Sequence, residues 1–117
     1  MSTLFELKQQ VTANPSTWSL YLMNFVDDFR RQKDVRMLWE PFVMDNNQID
    51  ALLASTAEYL CDEQGIQPPT WLNDVPASRK PWFVAGIESL KAIALAESPL
   101  RFRIRKVFVL ENFLSRV

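Results

Sequence analysis

Glycine is nearly absent from this chain: Gly65 and Gly86 are the only two among 117 residues. Turns that pass through positive φ therefore have few places to occur. The tight hairpins of an all-β fold draw on glycine for their loops and are hard to build here. An all-α fold is the expectation. Helix boundaries must then be read from the seven prolines and from Asn, Asp, Ser and Thr at capping positions.

A core of ordinary size is available to such a fold. Apolar residues make up 48% of the chain, including eight Phe and four Trp, far from the composition of a disordered segment. A chain of this length buries roughly two-thirds of the surface that its unfolded form exposes. We expect a single helical domain over residues 1–117, built as a compact bundle of five or six helices with an ordered proline-rich loop. Neither the start Met1-Ser2-Thr3-Leu4-Phe5-Glu6 nor any later stretch has the apolar run of a signal peptide or a membrane helix. Cys61 is the lone cysteine, so no internal disulfide can form, and the expected compartment is the cytoplasm.

Along the chain, Thr3 to Glu6 reads as a capping box that opens a short helix to about Ala13. Asn14 and Pro15 read as the cap and first position of a second helix, about 15–32. Its Leu22, Phe25, Val26 and Phe29 repeat at helical spacing, while Asn24, Asp27, Asp28 and Arg31 take the other face. Asp34 caps a short third helix with Val35, Leu38 and Trp39, which Pro41 must end or kink. The clearest pattern is a helix over 47–64. Caps at Asp45-Asn46-Asn47 precede a stripe of Ile49, Leu52, Leu53, Ala57 and Leu60, and Gly65 stands at its C-terminus. Phe25, Phe29, Leu53 and Leu60 are expected in a core where the two long helices pack together.

Residues 66–81 carry Pro68, Pro69, Pro76 and Pro81 around Trp71 and Leu72. Such a segment is too proline-rich for regular structure and too apolar for a free linker, so it should be ordered against the core. Ile87, Leu90, Ile93 and Ala94 predict a helix at roughly 83–96, and Ser98-Pro99 opens one more turn. From Leu100 to Lys106 apolar and basic residues alternate as in a strand, so both helix and extended chain are compatible with 100–109. A lone strand has no evident partner, which favours a helical turn, a short extended piece and a last helix near 111–116.

The residues that carry most enzymatic chemistry are missing. With no His and one Cys the chain lacks the commonest general base and the ligands of a structural zinc site, and no phosphate-loop, dinucleotide or serine-hydrolase motif occurs. Carboxylates remain: Glu58 with Asp62 one helical turn apart, and Asp27 beside Asp28, could serve a hard cation, but a solvated helix surface is by far the simpler reading of them. Acidic neighbours disfavour a Cys61 thiolate. The expectation is no enzyme, no metal and no cofactor.

Charge is segregated along the chain. Residues 1–74 hold five Lys/Arg against eleven Asp/Glu, and residues 75–117 hold eight against three. The densest cationic run is Arg101, Arg103, Arg105 and Lys106, interleaved with Phe102 and followed by Phe108. Three uses are open to it: internal pairing with the acidic first part, contact with an acidic protein surface, or contact with nucleic-acid phosphates. Trp18, Trp39, Trp71 and Trp82 read first as core anchors, and those in or next to the proline loop, Trp71 and Trp82, would be interface anchors where exposed.

At Pro81-Trp82-Phe83, Ser89-Leu90-Lys91-Ala92, Glu97-Ser98-Pro99 and Phe102-Arg103 with Phe108-Val109, the sequence resembles a domain of uncharacterised bacterial proteins. That domain often follows a helix-turn-helix, and some of its members are described as antitoxin-like regulators. The resemblance runs over roughly 15–117 and includes the Leu52-Leu53 helix, Gly65 and the Pro69-x-Trp71 turn. Only about a dozen residues precede the second helix here, where longer members carry the DNA-binding unit. The resemblance implies a protein-interaction module, a regulator or toxin-neutralising partner, and carries over no catalytic residues. Arg101, Arg103, Arg105, Lys106, Trp71 and Trp82 are the expected contact residues, with a nucleic-acid-binding accessory protein and a carboxylate-metal enzyme as alternatives.

Overall fold

The computed structural model describes residues 2–115. Among them, five α-helices and one parallel pair of two-residue strands run in the order α1 (Leu4–Ala13), α2 (Trp18–Gln32), α3 (Gln48–Gln64), β1 (Trp82–Phe83), α4 (Lys91–Glu97), α5 (Leu100–Arg103) and β2 (Val107–Phe108). The fold is mostly α, as the scarcity of glycine requires.

Local chemistry sets most boundaries. Thr3 is extended, and its hydroxyl accepts the Glu6 N–H at 3.2 Å, which starts α1. Asn14 does not cap the second helix. It closes α1 instead, donating its backbone and side-chain N–H groups to the Gln10 carbonyl, and a 3₁₀ turn at Pro15–Thr17 leads into α2. Asp34 caps the short 3₁₀ helix Val35–Leu38 by accepting the Arg36 N–H, and the helix ends ahead of Pro41. Asn47 caps α3 by accepting the Asp50 N–H, and Gly65 ends it at φ 67°, the left-handed conformation that glycine adopts without strain.

Helix α3 is the axis of the molecule. It is buried without interruption from Asp50 to Glu58, so the stripe read from the sequence is only part of what it hides. Phe25, Phe29, Leu53 and Leu60 all lie in the core. Helices α2 and α3 do meet, but the most extensive neighbour of α2 is α1, and that of α3 is α5. The proline-rich segment is ordered around a 3₁₀ turn at Thr70–Asp74 with Leu72 fully buried. The radius of gyration is 13.3 Å, about the value for a compact chain of this length.

Three sequence expectations are corrected toward the C-terminus. The extended piece does have a partner: β2 pairs in parallel with β1, Trp82 opposite Val107 and Phe83 opposite Phe108. Two residues per strand are too few to show alternation, so no pattern announces the pairing. The helix expected at 83–96 begins late, because β1 is followed by a turn in which Gly86, at φ 68°, donates to the Phe83 carbonyl; a 3₁₀ turn at Glu88–Leu90 then leads into α4. In place of the last helix there are turns over 111–114, and its expected end at 116 lies outside the described residues.

Candidate functional site

Segment 100–109 is where sequence-based expectation and tertiary placement can be compared residue by residue. Alternation of apolar and basic residues would put Arg101, Arg103 and Arg105 on one face of a strand. The chain is helical over Leu100–Arg103 and continues in turns to Lys106, so helical spacing decides the faces instead. Phe102 goes into the core against Tyr59 and Phe113. Arg101 and Arg105, four apart, turn toward α3, where Glu58 and Asp62 are also four apart.

Those two pairs interlock. Arg105 is 6% exposed and Glu58 2%. Their guanidinium and carboxylate are in direct contact, and Arg105 also donates to the carbonyls of Leu72 at 2.8 Å and Val75 at 3.3 Å. One buried side chain thus fastens the proline-rich segment, α3 and the C-terminal segment together. Arg101 makes a two-point contact with Asp62, at 2.8 and 2.9 Å, and lies 3.5 Å from the Glu58 carboxylate. This contact raises the Arg101 pKa, chiefly through the hydrogen bond to Asp62. Arg105 is therefore an internal charge, and Arg101 is a part-exposed one already paired within the chain. Glu58 and Asp62, the pair on which a carboxylate-metal site would rest, are held by arginines, and Glu58 is no solvated residue. Among the described residues no group of three or more Cys, Asp or Glu is placed to hold a metal ion.

Arg103 and Lys106 point outward. Arg103 gives one N–H to the Ser98 carbonyl at 2.8 Å and is otherwise exposed; Lys106 is exposed at φ 60°. Arg79 and Lys80, which the sequence did not single out, are also exposed and precede β1 as Lys106 precedes β2. Because the strands are parallel, all three lie at the same end of the pair, one turn from Arg103. Among the described residues none of these four cations makes an ion pair, which sets them apart from Arg101 and Arg105. Arg79 and Lys80 were legible only as two charges in a loop; the β1–β2 pairing is what gathers them.

The segment 87–104 also exposes a series of aliphatic side chains. Ile87, Ile93, Leu95, Leu100 and Ile104 are all exposed, from 46% at Ile93 to 69% at Leu100. In α4 only Ala94 is buried; Ala92, Ile93, Leu95 and Ala96 face solvent. Buried Ser98 anchors the end of this helix, donating to the Ala94 carbonyl and accepting the Val109 N–H at 2.8 Å. Exposed Leu or Ile residues are ordinary singly and informative when they collect.

Trp39 is no core anchor, being 60% exposed just after its short helix, and Trp71 and Trp82 do not share a site. Trp71 donates from its indole to the Leu38 carbonyl at 2.8 Å and sets its ring edge-on to Phe42, so its polar end is already used inside the fold. Trp82 sits 5.9 Å from Trp18 at 56° and lines a cleft of about 400 Å³ with Pro15, Ile49, Lys8 and Asp45.

A second buried charge cluster went unread. Lys8 occupies the apolar stripe of α1 with Leu4, Leu7 and Val11, and its ammonium pairs with Asp50 and Asp45 and donates to the Val43 carbonyl. A lysine on the inward face of a helix was the available signal. Cys61 is buried, and loss of solvent followed by the Asp62 charge pushes its thiol up to about 11, so it is no nucleophile at neutral pH.

Compared with known proteins, the chain matches no family model, no curated protein and no solved structure. Among the described residues no helix is long and apolar enough to cross a membrane.

Proposed function

We propose that this chain is a protein-interaction module that acts by binding rather than by catalysis. Its contact surface is drawn from the exposed aliphatic side chains of residues 87–104 together with Arg103, Lys106, Arg79 and Lys80. The observation that carries the reading is the exposure of Ile87, Ile93, Leu95, Leu100 and Ile104 within eighteen consecutive residues. Water-exposed aliphatic side chains concentrated on one segment gain free energy when a partner covers them. The unpaired cations beside them favour a partner with an acidic rim, since complementary charge sets orientation and association rate. Arg105, Arg101 and Trp71 contribute to this surface only by holding its elements in place. A regulatory or toxin-neutralising role in a bacterial, cytoplasmic protein pair is the finer form of the proposal, and it rests on the resemblance described above.

Isolating the partner from the source cell and titrating the two purified proteins tests this. The complex is expected to survive moderate salt, because covered apolar area rather than phosphate neutralisation holds it. Ile93→Asp with Leu95→Asp should abolish the complex and leave the melting temperature unchanged. If the variant binds as the wild type does, the surface is wrong. The four unpaired cations also favour a second reading, nucleic-acid contact. In that case affinity for DNA or RNA falls steeply with salt, and Arg103→Ala with Lys106→Ala reduces the slope by about two contacts.

A further inference from the structure

We propose that the cleft beside Trp18 and Trp82 binds a small organic ammonium ion. This site is separate from the α4–α5 surface and does not depend on it. The cleft lies between α1, the start of α2, the start of α3 and β1, and its volume of about 400 Å³ is in the range of small-molecule sites. Val11, Pro15, Trp18, Ile49 and Trp82 give it apolar walls. Trp18 and Trp82 meet at 56° with centroids 5.9 Å apart, and both rings are only partly buried, so they form a corner of two π faces. Tryptophan faces are the strongest of the aromatic attractors for a cation.

Charge at the polar end decides the class of ligand. Among the described residues Lys8 is the one cation lining the cleft, and its ammonium is enclosed: it pairs with Asp50 and Asp45 and donates to the Val43 carbonyl. Two carboxylates around one ammonium leave a net negative charge. Asp50 is fully buried, so that charge reaches solvent through the side chain of Asp45, which is 50% exposed. An anion at the start of α3 would sit beside the half-exposed Asp45 carboxylate, and the Asp45, Asn46 and Asp50 amides are not open to it, the first two donating to the Asp50 carboxylate and the third to the Asn47 side chain. A neutral apolar ligand would cover the walls but strip water from Asp45 without replacing it. An ammonium group on a compact carbon body satisfies both the π corner and the carboxylate.

The test compares choline with its uncharged carbon isostere, 3,3-dimethylbutan-1-ol, each titrated into the whole chain while the four indole N–H resonances are followed by NMR. Choline should shift Trp18 and Trp82 saturably and leave Trp39 and Trp71 unmoved, and the alcohol should bind about tenfold more weakly. Asp45→Asn, which keeps Lys8 paired with Asp50, should bring the affinity for choline part of the way down to that for the alcohol, the remainder being the attraction of the two indole faces, and Trp82→Leu should remove binding. Equal affinities for the two isosteres in the wild-type chain overturn the proposal, as does the absence of a saturable shift at Trp18 and Trp82. Should Asp45→Asn lower the melting temperature, the wild-type isostere comparison decides alone.

Discussion

Glu58 gathers more of the interior charge than any other carboxylate, since it faces Arg105 directly and Arg101 at 3.5 Å. A buried pair gains little over apolar residues of the same shape, but losing one partner strands the other in a poorly solvating medium. Glu58→Ala is therefore expected to cost about 3–5 kcal/mol of unfolding free energy, and Glu58→Ala with Arg105→Met should recover most of it. Urea denaturation of these two variants and of Arg105→Met alone completes a double-mutant cycle and measures both values. Cys61 makes a pH prediction. Its folded pKa of about 11 lies above the ordinary 9.0, chiefly because burial disfavours the thiolate, so the fold prefers the protonated thiol. That contribution is intact below pH 9 and is lost as pH rises from 9 toward 11. Thermal melts should show a shallower decline across this window in Cys61→Ala than in the wild type. Alkylation by iodoacetamide at neutral pH should be slow until the protein is unfolded.

At the scale of elements, α3 and α4 are opposites. Seventeen residues long, α3 is capped at both ends and buried through its middle. Asn47→Ala should destabilise the protein by about 1 kcal/mol by freeing the Asp50 amide. Gly65→Ala should cost about 1–2 kcal/mol from the left-handed backbone alone, because an added Cβ meets nothing within 4 Å. Seven-residue α4 has no side-chain cap and one buried residue, and it is held by the Ser98 clamp and the Lys91 contacts to Glu88 and the Phe83 ring. Local opening free energy follows such contacts. Amide hydrogen exchange should accordingly be fastest in α4 among the helices of at least seven residues and slowest in the middle of α3.

Charge segregation along the sequence becomes a division of labour in the whole molecule. Two arginines of the basic second part neutralise Glu58 and Asp62 of the acidic first part, and Arg30 in α2 reaches both Glu63 and the Leu114 carbonyl. The unpaired cations, Arg79, Lys80, Arg103 and Lys106, collect at one end. The two sets should separate in experiment. Arg103→Ala with Lys106→Ala should leave stability within about 0.5 kcal/mol while changing the salt dependence of binding, whereas Arg105→Ala should destabilise strongly, by about 3–5 kcal/mol. Equal stability losses in the two variants would refute the division.

Helix content, the caps at Thr3, Asp34 and Asn47, the stop at Gly65 and the core positions Phe25, Phe29, Leu53 and Leu60 were determined by the sequence itself. Each depends on spacing within a few residues or on the backbone freedom of one. Asn14 shows the limit of that locality, since the same side chain can cap the helix after it or close the helix before it. Tertiary structure alone decided three matters: that β1 is the partner of β2, that Arg101 and Arg105 turn inward while Arg103 and Lys106 stay in water, and that Trp18 and Trp82 meet across a cleft. These depend on contacts between residues 25 to 64 positions apart. A run of alternating charges looks the same in sequence whether its partner is solvent, another protein or Glu58. Only the packing of α5 on α3 paired two of those charges within the chain and placed one of them, Arg105, where leaving it unpaired would be costly.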